Sequence, residues 1–547
     1  FFTPFGYLFL KNKPTSIRLY SSQLFFRLIF LSFCALLINF FVPLNRYINT
    51  IFIIISLFIL IRFHKIYYSR SFLAFSFFSS LFIFLLIVES NVYRPDAGLY
   101  HLPFINILNN EKIIFGLSNL HFRFGHISII QYLSAISNNL LFGINGIVLA
   151  SALVSSAIII NFLISLWCYN QKRIYNIHFF YLFSVTLFIF SKMIRYSEYG
   201  NDAPAHFVLF YLISEILKLK EINIDKFTNL FILTSFIIFN KITLLFVAFI
   251  PLFFLKKLKI KEIIKSKKFL FILIFVSLWF LKNFITTGCA IFPVKYTCIK
   301  SFSWNSLSLA KKISVENEAW TKGWPDYDIS ATKNKIILMN INDYSKNFVW
   351  FEYWYDHHFK KKIAVILAPY LLVLIIIYLI LKKIKTKNFN NTYQNYLAYY
   401  LIIILSLGTL FWFLKIPVFR YGYSYFIALF SICFAFFCSK NKFKPGTLYK
   451  AVNVFLILCL LFFTFKNTKR IYSNSNNYDN YPWPKYLGMD NNNSPPRIKK
   501  FVINNLTFYE PSNGDFCMYS KSPCGHYGAR DISQTYKKLN YTFILPK

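Results

Sequence analysis

Two carboxylates, a tyrosine and a histidine lie close together in one short segment that follows an apolar stretch of this chain. Residues 88–103 read Val-Glu-Ser-Asn-Val-Tyr-Arg-Pro-Asp-Ala-Gly-Leu-Tyr-His-Leu-Pro and contain Glu89, Asp96, Tyr100 and His101. A carboxylate such as Asp96, flanked by proline and glycine, could take a proton from a hydroxyl as general base, or bind a divalent ion. The alternative is structural, because Asp96 could cap the helix predicted to follow it. One residue can serve both purposes.

A second group of acids and a histidine precedes another apolar stretch. Residues 195–206 read Arg-Tyr-Ser-Glu-Tyr-Gly-Asn-Asp-Ala-Pro-Ala-His and contain Glu198, Asp202 and His206. Asp202 is placed to be a helix N-cap, and His206 follows four residues later on the same helical face. Polar groups that face one cavity are typical of a substrate-binding site, with the helix cap as the structural alternative.

Basic residues also lie within or beside apolar stretches. They are Lys241, Lys282 and Arg420, and Tyr421 follows the arginine. A partly buried ammonium or guanidinium group suits a phosphate or diphosphate, whereas the structural alternative for Lys282 is snorkelling to the membrane interface. The chain has no Walker loop, glycine-rich dinucleotide turn, His-Glu-x-x-His or Gly-x-Ser-x-Gly motif, so nucleotide-driven or serine-hydrolase chemistry has no support.

The composition indicates a membrane protein. Of the 547 residues 56% are hydrophobic and the mean hydropathy is +0.48, which is more apolar surface than one or two soluble cores can bury. A net charge of +39 would suggest nucleic acid in a soluble protein. Here the Lys and Arg residues fall in short loops between apolar runs, as the positive-inside rule predicts. We expect an all-α polytopic membrane protein that contacts the lipid bilayer and binds no nucleic acid.

Thirteen apolar runs approach the roughly 17–25 residues that cross a bilayer. With a cytoplasmic N-terminus, the short basic loops lie inside and the loops that carry acids lie outside. Asn240 and Lys241 interrupt the run 227–256, and two short spans are expected there because one long span would place the lysines of 256–268 outside. The predicted spans are 23–43, 47–62, 71–88, 146–168, 177–194, 203–217, 227–240, 242–256, 269–286, 363–382, 396–413, 418–438 and 450–466.

The outer side is expected to hold two large loops and the tail. A transmembrane domain covers 1–466 with outer loops 89–125 and 287–362, and the tail 467–547 forms a small subdomain that leans on the second loop. The segment 124–143 is apolar but contains Ser, Asn, Gln and His, which predicts a helix along the outer membrane surface. The chain begins with Phe-Phe rather than Met, so we expect that its true start lies further upstream.

Four of the nine cysteines form two close pairs in segments assigned to the outside. Cys289 with Cys298, and Cys517 with Cys524, could each form a disulfide in an oxidising compartment. The alternative is two free thiols in each loop, since a zinc site requires more ligands than these loops bring nearby.

Short motifs along most of the chain resemble a poorly characterised family of bacterial multi-spanning envelope proteins. The layout of spans, acid-bearing first outer loop and outer tail is similar to that of the GT-C membrane glycosyltransferases, which take a sugar from a polyprenyl-phosphate carrier. The motifs are Asp96-Ala-Gly-Leu-Tyr100-His101-Leu-Pro103, Gly116-Leu-x-Asn119-Leu-His121-x-Arg123, Tyr199-Gly-Asn-Asp202-x-Pro204-x-His206, Trp279-x-x-Lys282-Asn283 and Arg420-Tyr-Gly422.

The resemblance implies a GT-C-like inverting glycosyltransferase of the bacterial inner membrane, with its active site and C-terminus in the periplasm. It would move a sugar from a polyprenyl-phosphate donor to an envelope glycan or lipid. Asp96 would be the base, assisted by Glu89 or Asp202 through a divalent cation (Mg²⁺ or Mn²⁺) or through acceptor hydroxyls. The implied substrate-binding residues are Tyr100, His101, Asn119, His121, Arg123, Glu198, His206, Lys241, Lys282, Arg420 and Tyr421.

Two features depart from the GT-C pattern, and two other classes compete. Asp96 stands alone where many GT-C enzymes have paired acids, and two spans precede the helix that leads to it, which leaves metal use open. An O-antigen polymerase or ligase would use Arg and His around a diphosphate, and should survive loss of Asp96 better than loss of Arg420. A transporter or flippase without chemistry would carry ionisable residues in mid-span and an inverted repeat, and the sequence shows no repeat.

Overall fold

The apolar runs fold as helices, because a backbone in an apolar environment must satisfy its hydrogen bonds within the segment. A computed structural model describes residues 16–64, 69–87, 96–126, 128–192, 199–324, 341–383, 385–388, 392–443, 445–474, 496–512, 516–526 and 531–547. The first ten helices are α1 (Ile17–Asn39), α2 (Arg46–Arg62), α3 (Arg70–Ile87), α4 (Leu102–Asn110), α5 (Ile129–Ser137), α6 (Leu149–Gln171), α7 (Ile177–Lys192), α8 (Asp202–Leu217), α9 (Ile224–Asn240) and α10 (Phe249–Leu255). The next nine are α11 (Ile260–Lys265), α12 (Lys267–Thr287), α13 (Leu307–Thr321), α14 (Ile341–Lys346), α15 (Trp350–Trp354), α16 (Val365–Lys383), α17 (Thr392–Lys415), α18 (Phe419–Ser439) and α19 (Pro445–Asn474).

Each of the thirteen predicted spans overlaps a helical segment. Within the described residues, eight helical segments are long and apolar enough to cross a membrane: those containing α1, α3, α6, α12, α16, α17, α18 and α19. The protein is therefore mostly helical with several candidate spans, and the figure of thirteen stays a prediction.

Burial separates central helices from peripheral ones. The most apolar stretch of the segment that contains α6 is 78% buried inside the protein, and that of α18 is 72% buried. The corresponding stretch of α16 is only 17% buried. Helices α7, α8 and α17 pack around α18. Helix α18 is thus central in the bundle, whereas the apolar surface of α16 faces outward.

The chain reverses direction at Lys241, as the interrupted run predicts. Helix α9 ends at Asn240, Lys241 has extended backbone angles, and a 3₁₀ segment (Ile242–Ala248) leads into α10, which packs back against α9. The Asn240 side chain stabilises the break, because its Nδ2 donates to the Phe236 carbonyl at 2.9 Å and its Oδ1 accepts from the Ile130 N–H at 3.0 Å. This places Lys241 at the tip of a helical hairpin.

The helix in segment 124–143 is shorter than predicted and lies inside the protein. It is α5, and all nine of its residues are buried where it packs against α1, α4 and α6. Two polar side chains in and just after it bond to nearby backbone: the Ser137 hydroxyl donates to the Leu133 carbonyl, and Asn139 Nδ2 donates to the Ser137 carbonyl, both at 2.9 Å. Because such side chains bond to the backbone beside them, their polarity does not require a water-facing surface.

The described residues of the tail include two antiparallel hairpins, which contact mainly the first outer loop. The isolated bridge between Phe115 and Phe543 and the bond from the Met518 N–H to the Gly98 carbonyl at 3.0 Å both reach that loop. Contact with the second loop is made through Trp304, whose ring lies 5.9 Å from that of Phe543. The strands are β3 (Ile498–Ile503) paired with β4 (Leu506–Pro511), and β5 (Ile532–Lys538) paired with β6 (Tyr541–Pro546); a separate ribbon pairs β1 (Lys385–Asn388) with β2 (Asn441–Phe443).

The predicted tail boundary and cysteine pairs can be compared directly with the structure. Helix α19 continues to Asn474, so the helical part extends beyond the predicted boundary at residue 466. Disulfides join Cys289 to Cys298 and Cys517 to Cys524, the two pairs that their spacing suggests.

Candidate functional site

A cavity of about 1070 Å³ lies at the end of the helix bundle that carries the tail. Charged side chains reach it from segments that are far apart in sequence: both ends of the first outer loop, the start of α8, the break after α9, helix α13, the end of α17 and the start of α18. Among the described residues, Glu318 and Lys415 line it together with five that we name the polar wall: Asp96, Arg123, Asp202, Lys241 and Arg420. Tyr100, His101 and Tyr421 also line it.

Asp96 lies between two arginines. An Arg420 guanidinium nitrogen (Nη1) donates to Asp96 Oδ2 at 2.6 Å, and an Arg123 guanidinium nitrogen lies 3.7 Å from Oδ1. Asp96 immediately precedes a π-helical turn (Ala97–His101), but its side chain makes no capping hydrogen bond. Burial disfavours the ionised carboxyl, but Arg420 and Arg123 outweigh it and hold the pKa of Asp96 below its ordinary value. The Asp96 side chain therefore lines the cavity and pairs with the arginines, and the predicted helix cap is not formed.

The second ion pair joins the start of α8 to the break after α9. Lys241 Nζ donates to Asp202, and the ammonium also lies 4.6 Å from the centre of the Tyr421 ring. The Lys241 side chain is only 5% exposed, so its charge depends on these neighbours. Asn201, which precedes α8, donates from Nδ2 to the Asn240 carbonyl at 2.5 Å and ties the two helix ends together.

Arg420 is held in place from its own backbone and from two aromatic rings. The His206 imidazole contacts the Arg420 carbonyl through Nε2 at 2.8 Å and the Ser424 hydroxyl through Nδ1 at 2.6 Å. The guanidinium lies 5.8 Å from the ring of Trp320 and 5.2 Å from that of Tyr421. His206, predicted to bind substrate, is instead fully buried outside the cavity lining, where it fixes the first turn of α18.

Three other predicted binding residues lie away from the cavity surface. Asn119 Nδ2 donates to the carbonyls of Trp304 and Ile544, both at 2.9 Å, and so joins the first outer loop to the second loop and the tail. His121 is buried and accepts the Arg123 backbone N–H at 3.2 Å through Nδ1, which orients Arg123. Lys282 is buried behind the wall, with its ammonium 3.8 Å from the Trp279 ring centre.

Two predicted acids are not described by the structure, and two residues near the cavity were not predicted. Glu89 and Glu198 lie outside the described residues. Sequence reasoning missed Glu318 of α13, which lines the cavity and accepts from Lys322 at 2.7 Å. It also missed Gln131, which contacts His101. Its signal was the spacing Ser128-x-x-Gln131, a capping-box pattern at the start of α5.

The described carboxylates of the cavity are all paired with cationic side chains. Asp96, Asp202 and Glu318 each already face a cationic side chain. Among the residues that the structure describes, no group of three or more His, Cys, Asp or Glu is placed to hold a metal. A divalent ion is held by carboxylates turned toward it, so these three carboxylates would have to exchange their cationic partners for the Mg²⁺ or Mn²⁺ that the resemblance implies.

The fold and the cavity together define a mostly helical membrane protein with an ion-paired site at one end of its bundle. The chain belongs to the family DUF8201, described as a domain of unknown function, whose sequence model matches residues 1–427. That range includes every residue of the polar wall and ends before the tail. No curated protein and no solved structure matches the chain.

Proposed function

We propose that this protein is a membrane glycosyltransferase that moves a sugar from a polyprenyl-phosphate donor to a cell-envelope glycan or lipid. The observation that supports this most directly is the Asp96 carboxylate between Arg420 and Arg123 in one cavity. Such an arrangement supplies both a proton acceptor and cations for a phosphate. These are the two groups that sugar transfer from a phosphate carrier needs.

The proposed reaction is a single displacement. An acceptor hydroxyl attacks the anomeric carbon of the donor sugar while Asp96 takes the hydroxyl proton, so that a new C–O bond forms. The bond from that carbon to the phosphate oxygen breaks, and the phosphate leaves with the electron pair. Displacement on the face opposite the leaving group inverts the anomeric centre. Three cationic side chains (Arg123, Lys241 and Arg420) stabilise the charge that develops on the phosphate.

Arg420 must change partners during this reaction. In the described state its guanidinium holds Asp96 ionised and weakly basic, because the pKa of that carboxyl is lowered. A donor phosphate brings an anion that competes with Asp96 for the same guanidinium. Once Arg420 turns to the phosphate, the remaining cation near Asp96 is Arg123 at 3.7 Å, and the carboxylate becomes a better proton acceptor. Donor binding thus prepares the base.

The same proposal places the cavity on the periplasmic face of the bacterial inner membrane. The two disulfides lie in the tail and in the loop that follows α12, both on the side assigned to the outside by the basic loops. The thirteen spans and the GT-C-like arrangement belong to this proposal too. The overlap of each predicted span with a helical segment supports the spans.

Glycan profiling of the producing strain tests the proposal. Wild-type, Asp96→Asn and Arg420→Ala proteins are expressed at matched levels, with folded protein measured by size-exclusion chromatography in detergent. We expect Asp96→Asn to leave an envelope glycan or lipid without its added sugar, because loss of a general base costs roughly 10²–10⁴-fold in rate. Arg420→Ala should also reduce transfer, since the phosphate then loses one of its cations.

The matched controls carry the same changes on exposed side chains. Asp356→Asn removes a carboxylate from an exposed pair with Lys360, and Arg62→Ala removes an exposed guanidinium at the end of α2. Both controls should give the wild-type glycan. A wild-type glycan in a strain that carries folded Asp96→Asn protein would refute the proposed role of the carboxylate.

An O-antigen polymerase or ligase is the second candidate, favoured by the excess of cations over carboxylates among the five polar-wall residues. In that reaction the phosphate-binding side chains matter most and the carboxylate only holds Arg420. Folded Asp96→Asn protein with unchanged glycan, together with shortened glycan for Arg420→Ala, would select this candidate.

A further inference from the structure

His101 presents one ring nitrogen to a buried glutamine and the other toward the cavity. It closes the π-helical turn that begins after Asp96, and it lines the cavity although only 7% of its surface is exposed. Its Nδ1 lies 2.9 Å from Nε2 of Gln131 on α5. Gln131 is itself 2% exposed, so the contact is shielded from water.

The backbone fixes the orientation of the Gln131 side-chain amide. Its Oε1 lies 3.0 Å from the backbone nitrogen of Ser128 and 3.3 Å from the Ser128 hydroxyl. A backbone N–H can only donate, so the amide oxygen must face Ser128 and the NH₂ group must face His101. The NH₂ group can only donate in turn. Nδ1 of His101 is therefore the acceptor and carries no proton.

The surroundings keep this imidazole uncharged. Burial lowers the pKa of His101 to about 4, and Arg420 and Arg123 act in the same direction. Asp96 and Asp202 oppose the shift without cancelling it. At neutral pH the ring thus holds a single proton, which must be on Nε2.

Nε2 lies beside Gly200, where the absence of a side chain leaves room next to the ring. A Cβ atom built on Gly200 would lie 3.3 Å from Nε2, and Gly200 lines the same cavity. No described residue accepts a hydrogen bond from Nε2. The ring therefore has one donor group available at the cavity, which Asp96 and Asp202 also line.

We propose that Gln131 is a positioning residue, which fixes the tautomer of His101 so that Nε2–H donates to an oxygen of the bound sugar phosphate. The identity of this ligand rests on the proposed function, whereas the tautomer rests on the contacts of Gln131 alone. An uncharged donor holds a sugar or phosphate oxygen beside Asp96 without competing with the arginines for the carboxylate. It also cannot protonate Asp96 in place of the acceptor hydroxyl, since neutral imidazole is a poor acid.

Nitrogen-15 NMR of the purified protein, labelled in its histidine rings, tests the tautomer. The His101 signals are identified by their loss in His101→Asn, and one-bond N–H couplings show which nitrogen is protonated. We expect a proton on Nε2 and none on Nδ1 in the wild type. Gln131→Glu keeps an acceptor for Ser128 but offers a second carboxylate oxygen to His101, so Nδ1 should then carry a proton.

The matched control is Gln171→Glu, an exposed glutamine at the end of α6, which should leave the His101 signals unchanged. A protonated Nδ1 in the wild type would overturn the proposal. So would folded Gln131→Glu protein whose Nδ1 stays unprotonated. Where Gln131→Glu fails to fold, the wild-type spectrum alone decides.

The rate of sugar transfer tests the second part of the proposal, which is hydrogen-bond donation by Nε2. If Gln131→Glu protein folds and its His101 changes tautomer, the transfer rate should fall roughly tenfold, which is the effect of losing one neutral hydrogen bond. Transfer at the wild-type rate would refute donation by Nε2. A wild type that shows the expected tautomer but transfers no sugar would instead refute the proposed function and with it the sugar-phosphate ligand. These two failures are distinguishable.

Discussion

Replacing Asp96 by asparagine should tighten the binding of a polyprenyl phosphate, even though it stops sugar transfer. In the described state, Arg420 donates to Asp96 at 2.6 Å. A phosphate that takes over this guanidinium must first break that bond. Asparagine is uncharged, so it holds Arg420 more weakly and leaves it available to the ligand.

The size of the effect follows from the exposure of the pair. A hydrogen bond between charged groups contributes about 1.5–3 kcal/mol, and solvent screening reduces this for side chains that water can reach. The two side chains are 33% and 23% exposed, so about 1–2 kcal/mol is appropriate. Since 1.4 kcal/mol corresponds to a tenfold change in affinity, Asp96→Asn should bind roughly 5- to 30-fold more tightly.

Isothermal titration of detergent-purified protein with geranylgeranyl phosphate measures this difference. Asp356→Asn has the same change of net charge on an exposed side chain, so it controls for non-specific attraction of the anion. We expect Asp356→Asn to bind like the wild type. If Asp96→Asn binds with unchanged or weaker affinity, Asp96 and the phosphate do not compete for Arg420 and the partner exchange is refuted.

The affinity gap should also depend on pH in a defined direction. The pKa of Asp96 lies below its ordinary value of about 4, so its carboxyl stays charged down to that pH and below. Its pairing with Arg420 stabilises the fold above the unfolded-state pKa, and this is lost as the pH falls through the lowered folded-state value. The affinities of wild type and Asp96→Asn should therefore converge only in strong acid, where Asp96 becomes protonated. Protonation of the ligand affects both proteins equally and does not change this comparison.

Three further predictions concern other residues. Asn119→Ala should lower the free energy of unfolding by about 1–3 kcal/mol, because the Ile544 carbonyl, which is buried, and the Trp304 carbonyl, which is partly buried, lose their donor. Thermal unfolding in detergent measures this, and a loss of transfer at unchanged stability would instead indicate that Asn119 binds substrate. Lys241→Met should leave Asp202 without its cation and weaken phosphate binding in the same titration, and unchanged affinity would remove Lys241 from the phosphate site. Replacing Cys517 and Cys524 together by serine should speed limited proteolysis of the tail without changing the titration, and equal cleavage rates would show that the bridge does not hold it.

The helices could be predicted because their signal is local. Long apolar runs separated by short basic loops can hardly fold otherwise, and the break at Lys241 was visible as a charge inside such a run. The burial of α5 could not be predicted in the same way. The serines in it and the asparagines just after it look like a polar face in the sequence, yet Ser137 and Asn139 bond to carbonyls of neighbouring residues inside the protein. Periodicity alone does not distinguish a polar group facing water from one satisfied by the backbone.

The residues of the site could be predicted only in part, because contacts between distant residues leave no local signal in the sequence. The sequence marked Asp96 and Arg420 separately, because each is an ionisable residue beside an apolar run. Their direct contact spans 324 residues and leaves no local signal. The pairing also changes the meaning of Asp96, since an acid neutralised by an arginine is a weaker base than an isolated acid of the same exposure.

His206 shows how correct spacing can still lead to a wrong role. It lies four residues after Asp202, so both side chains start from one face of α8. Asp202 is at the helix start and reaches the cavity, whereas His206 is one turn deeper and contacts the Arg420 carbonyl. One turn of helix is a rise of about 5.4 Å, enough to separate the cavity wall from the layer beneath it. A side chain in that layer still influences the proposed chemistry, because it sets the position of the guanidinium that Asp96 and the donor phosphate would share.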